Sequence, residues 1–131
     1  MDDPETIFTA PALAERKRRV NMEQHDLGKI QKLKEKGKSD KIIKYLGSSD
    51  DVVVVAALEA LSQINDEDSV NSIAHMIDNP DTKIRIEAAK ALGSIGTEYA
   101  KTYLLHRLNA EQDETVKTAI KDALHTLAEH H

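Results

Sequence analysis

The chain has 131 residues, with 18 Lys and Arg against 23 Asp and Glu, six His and no Cys. Without a thiol, disulfides, thiolate chemistry and Cys-based zinc sites are excluded, and a formal net charge of −5 argues against a dedicated nucleic-acid binder. Hydrophobic residues make up 40% with one Phe and no Trp, so the core must be aliphatic and alanine-rich, and the few Gly and Pro favour helices over a sheet.

The first residues, Met1-Asp2-Asp3-Pro4-Glu5, are acidic and polar, unlike a secretory or transit peptide. No apolar run approaches the roughly 18 residues of a membrane span, so the expected address is the cytoplasm with no membrane partner. Residues 1–20 read as an N-terminal arm, in which Ile7 and Phe8 are isolated apolar residues, and residues 21–131 as the folded domain. Thr9-Ala10-Pro11 suits a helix start, with Pro near the first turn. Whether residues 11–36 form one helix or two is open, with Asn21 and Gly28 as the break points. Arg16-Lys17-Arg18-Arg19 is either a phosphate-binding run or a solvated helix segment with Glu15 and Glu23 as partners.

Beyond the arm the charge is uneven. Residues 20–48 carry seven Lys against four acids, whereas residues 49–78 carry seven acids and neither Lys nor Arg. A repeat underlies this asymmetry. Ile84, Ala88, Ala91, Leu92 and Ile95 share one face of a helix, and Gly96 ends it because a residue without Cβ accepts the left-handed conformation. Leu104, Leu105 and Leu108 mark a second helix, so the unit is a hairpin. Shifting back by 31 lays Val53, Ala57, Ala60, Leu61 and Ile64 on the first pattern, and Ile73, Ala74 and Ile77 on the second. Shifting forward by 32 gives Val116, Ile120, Ala123, Leu124 and Leu127, with the extra residue in the polar stretch Asn109–Gln112. Asp50, Asp81 and Asp113 then share one register just before each first helix, suited to an N-cap or first-turn role. One unit earlier the pattern decays to Met22, Ile30 and Leu33, then Ile42, Ile43 and Leu46. Solenoid ends decay in this way because one face meets water.

The stretch from Asp81 to Gly96, with Ile84, Arg85, Ala88, Ala91, Leu92 and Ile95 in register, resembles the HEAT-like repeat of the phycobilisome-lyase type. The resemblance implies an all-α, right-handed α-α superhelix, a HEAT-like solenoid of about three and a half hairpins. It further implies a noncatalytic protein-protein interaction module. One alternative is a lyase-type accessory subunit that positions a cofactor or prosthetic group on a partner; another is a nucleic-acid-binding HEAT-like domain.

Enzymatic chemistry finds no support. The six His include no pair at i and i+4 that would share a zinc ion. The iron-binding His-Glu dipeptides of HEAT-like hydroxylases are missing, since His25 precedes Asp26, His75 precedes Met76 and His106 precedes Arg107. No nucleophile constellation or phosphate loop is legible, so neither a catalytic site, a metal nor a cofactor is expected. His130 and His131 are either native or the stub of a tag.

Two surfaces are expected instead. If Ile73, Ala74 and Ile77 face the core, Ser72 and His75 face outward. Their equivalents are Lys41 and Lys44 one unit earlier, and Tyr103 and His106 one unit later. Second helices line the concave face in solenoids of this resemblance, so the six would form one surface for a partner protein, as against an ordinary polar exterior. On the other side, Val54, Val55 and Leu58, with Ile86 from the next unit, lie off the core stripe and would form an outer apolar patch. Its covers would be the arm, through Ile7 and Phe8, or a second copy of the chain in a homodimer.

Overall fold

The computed structural model describes residues 10–129. The expectations placed on Ile7, Phe8, His130 and His131 fall outside them. Among the described residues every regular element is helical. The elements are α1 (Ala10–Glu35), α2 (Ser39–Ile43) running into a 3-10 turn (Lys44–Gly47), α3 (Asp51–Ile64), α4 (Glu67–Met76), α5 (Thr82–Ile95), α6 (Glu98–Ala110) and α7 (Glu114–Glu129).

The boundaries follow from capping. Asp50 accepts from the Val52 N–H at 3.0 Å, Asp81 from Lys83 at 3.0 Å and Asp113 from Thr115 at 2.9 Å. Each satisfies a backbone donor that the first turn leaves without a helical partner. The hairpin turns sit at Gly37, Asn65 and Gly96, with φ of 67°, 56° and 73°. Asn65 and Gly96 occupy the left-handed position after α3 and α5, each returning its N–H to the helix.

The chain forms two layers. First helices α1, α3, α5 and α7 pack in sequence, and second helices α2, α4 and α6 lie beside one another. This is the HEAT-like helical solenoid. Between the layers lies a continuous aliphatic core including Ile42, Leu61, Ile73, Leu92, Leu104, Ile120 and Leu127. α5 and α7 approach closely at Gly93. A Cβ added to Gly93 would stand 2.9 Å from the Ala123 Cβ and 3.0 Å from its Cα, so the missing side chain lets the two backbones close up.

The open question of one helix or two over residues 11–36 closes on one helix, which ends at Glu35 and is continuous through Asn21 and Gly28, and three sequence expectations change. At 26 residues α1 is about 39 Å long, against about 21 Å for the 14 residues of α3. The longer helix overhangs its neighbour, leaving Val20 and Met22 exposed although Met22 was expected in the core. Leu105 is also exposed, at 45%, although its equivalent Ala74 is buried at 1%. Val54 and Leu58, expected on an outer patch, are core residues with 3% and 1% of their surface exposed. A helix inside a solenoid is flanked on both sides, here by α1 and α5, so its buried arc is wider than one partner would require.

Candidate functional site

The second-helix layer is joined by three side-chain rungs. Ser39 at the start of α2 donates to Asp66 Oδ2, the cap of α4, at 2.6 Å. Tyr99 of α6 donates its hydroxyl to Asn71 Oδ1 of α4 at 2.7 Å. Arg107 of α6 reaches Asp78, just beyond α4, at 3.2 Å. These contacts hold α2, α4 and α6 side by side. Burial opposes the charge of Asp66, but the Ser39 hydroxyl and Ser69 hold its carboxyl below the ordinary carboxylate value.

The six residues of the expected row fall on this layer. Lys41, Lys44, His75 and His106 are exposed, and Ser72 and Tyr103 are half-buried. Tyr103 packs its ring against the core and against Tyr99, with centroids 4.9 Å apart and planes tilted by 59°. Their hydroxyls are 3.3 Å apart. This neighbour raises the pKa of the Tyr99 phenol, with burial and the charge of Glu67 adding to the effect. Tyr99, Asn71 and Arg107 were absent from the sequence reading of the surface. The spacing of Tyr99 and Tyr103 by four residues was the available signal, since such a pair shares one helix face.

The outer patch does not assemble as a group of four. With Val54 and Leu58 inside, Val55 and Ile86 remain as half-buried residues at the margin of the core, near an exposed Val52.

A third cluster lies at the far edge of α5. Glu111 follows α6 and is buried, with 2% of its side chain exposed. Its carboxylate meets Arg85 side-on, Nε to Oε2 at 2.9 Å and Nη2 to Oε1 at 3.2 Å. Arg107 Nε adds a contact to Oε2 at 3.1 Å, and the N–H groups of Gln112 and Asp113 approach Oε1 at 3.1 Å each. Arg85 also donates to the Asn79 and Pro80 carbonyls at 2.8 and 3.1 Å. Burial alone would raise the Glu111 pKa. The Asp113 N–H and the two guanidinium groups outweigh it and hold the carboxyl at about 2. The donors leave the carboxylate little spare capacity, so this cluster locks the α6–α7 turn to α5.

Among the described residues no group of three His, Asp or Glu side chains is placed to hold a metal ion. No helix there is long and apolar enough to cross a membrane. The HEAT repeats family model matches residues 39–125, about two thirds of the chain. The chain belongs to the HEAT-repeat family. No curated protein matches it. The match begins at Ser39, so it covers the second-helix layer from α2 through α6 and most of α7. HEAT repeats generally mediate protein-protein interaction and are generally noncatalytic.

Proposed function

We propose that this HEAT-repeat chain is a noncatalytic protein-binding scaffold that meets its partner through the second-helix layer. The observation that carries the reading is the joined row itself. Three helices held by the Ser39–Asp66, Tyr99–Asn71 and Arg107–Asp78 contacts present Lys41 and Lys44, Ser72 and His75, and Tyr103 and His106 at one repeating register. A surface built on helices already joined to one another, with Lys41, Lys44, His75 and His106 exposed, meets a partner with little ordering cost of the backbone.

The test uses a His75→Ala, Tyr103→Phe, His106→Ala variant. Tyr103→Phe keeps the ring that packs on the core and removes only the hydroxyl. Circular dichroism should show unchanged helicity. Quantitative mass spectrometry of proteins captured from the native cell should show a partner held by the wild type and lost from the variant. Equal recovery of every captured protein on both would defeat the reading.

A further inference from the structure

The first hairpin carries a groove that meets the row at Lys41 and Lys44 and extends beyond it onto α1. About 540 Å³ in volume, it is lined among the described residues by Lys29, Lys32 and Leu33 of α1, Lys36 just after it, Lys41 of α2, and Lys44 and Tyr45 of the 3-10 turn. All five lysines are exposed, and none makes an ion pair with a described residue. The nearby acids are not in place to neutralise them. Glu35 accepts from Gln31 at 3.2 Å, and neither it nor Asp40 lines the groove. Lys29 and Lys32 lie on α1 and Lys36 just past its end, its N–H bonded to the Lys32 carbonyl at 3.2 Å, so three like charges follow one line with no counter-charge among them. Between the ammonium groups, Leu33 and Tyr45 are half-buried and give the groove an apolar floor.

We infer that this groove takes a short acidic segment of a partner protein, an apolar side chain seated on Leu33 and Tyr45 with carboxylates on either side. Lysines are mobile point charges without the fork of Arg, so they match carboxylates spread along a chain. The floor adds what pure charge pairing lacks, burial of an anchor residue. A long polyanion fits less well. Next along the chain come residues 49–78, with seven acids and no Lys or Arg, so a nucleic acid leaving the groove toward them would meet repulsion. The inference rests on the protein-binding reading and names the chemistry of the partner. The α1 lysines lie outside the row, which separates the two tests.

The experiment is fluorescence anisotropy on the full chain with a short labelled Asp/Glu peptide carrying one central Phe. Competitors are the same peptide with Ser for Phe, a single-stranded oligonucleotide of equal charge, and phosphatidylserine vesicles. The Phe peptide should bind saturably, compete best and weaken with salt. Lys29→Glu, Lys32→Glu, Lys36→Glu should reduce its affinity about tenfold or more, with helicity unchanged because all three side chains are exposed. Lys83→Glu, Lys121→Glu, at two exposed lysines outside both surfaces, should bind it as the wild type does. No saturable binding, equal binding by the triple Lys variant, equal competition by the Ser peptide, or stronger binding of the oligonucleotide or vesicle would each overturn the inference. If the peptide fails while the row variant loses a captured partner, the binding scaffold stands without this groove. If the peptide binds at the α1 lysines while the row variant keeps every partner, the groove stands and the row falls.

Discussion

Arg85 and Glu111 are 26 positions apart in the chain, yet their charged groups meet side-on through two contacts of 2.9 and 3.2 Å. The pair fixes the turn after α6 against the start of α5, and Arg107 closes it from the other side. Removing one member of such a cluster strands the rest in a desolvated place. Glu111→Gln keeps the volume and removes the charge, leaving two guanidinium groups without their shared partner. It should destabilise the chain by about 2–4 kcal/mol in urea unfolding. A loss under about 1 kcal/mol would mean that solvent replaces the carboxylate and the cluster is not structural.

The same carboxylate sets a pH dependence. Its ordinary pKa of 4.5 is lowered to about 2 in the folded chain. The folded state therefore binds fewer protons there than the unfolded state between those values, so protonation favours unfolding. The contribution is fully present above pH 4.5 and is lost as pH falls toward about 2. The stability difference between wild type and Glu111→Gln should be flat near neutrality and narrow steadily below pH 4.5. A constant difference down to pH 2.5 would contradict the lowered pKa.

Much of the fold was legible because each local signal sits within one repeat. Asp50, Asp81 and Asp113 mark helix starts, Asn65 and Gly96 mark stops, and the 31-residue shift pairs the core positions. What failed depends on neighbours outside the repeat. A helical wheel of α3 places Val54 and Leu58 on the flanks, and only the presence of α1 on one side and α5 on the other buries them. Glu111 stands in a polar stretch that reads as a tolerant loop, and its main partner, Arg85, lies in another helix. Of the row residues placed from the register of α4, Lys41, Lys44, His75 and His106 are exposed and Ser72 and Tyr103 are half-buried. The α1 lysines were visible as a basic region, but their convergence with Lys41 and Lys44 around Leu33 and Tyr45 needed the turn at Gly37.

Gly93 offers a test of the α5–α7 packing. Alanine has the better helix propensity by roughly 1 kcal/mol, so on an open surface Gly93→Ala would stabilise. Here the new Cβ would lie 2.9 Å from the Ala123 Cβ, 3.0 Å from its Cα and 3.1 Å from its carbonyl oxygen. Two of those atoms are backbone, which cannot rotate away. Overpacking should outweigh propensity and cost about 1–2 kcal/mol net. Ala123→Gly in the same chain should recover only part of the loss, because the Cα and carbonyl contacts remain. A raised melting temperature for Gly93→Ala alone would show that α5 and α7 stand further apart.

Leu104 and Leu105 are adjacent, identical in chemistry and opposite in environment, so they test the orientation of α6 directly. Leu104 is fully buried, whereas Leu105 is 45% exposed. The 31-residue register lays Ile73 and Ala74 on Leu104 and Leu105 and so placed both inside, and in α4 the two equivalents are indeed buried. The difference is the neighbour. α4 has α2 on one side and α6 on the other, while among the described residues α6 has a second helix only on the α4 side. Leu105 is therefore a core residue by sequence with no neighbour to make it one. Leu104→Ala should cost about 2–5 kcal/mol through lost burial and the cavity left behind. Leu105→Ala should change stability by no more than about 0.5 kcal/mol. Similar losses for both would place Leu105 against the core after all and restore the simple register.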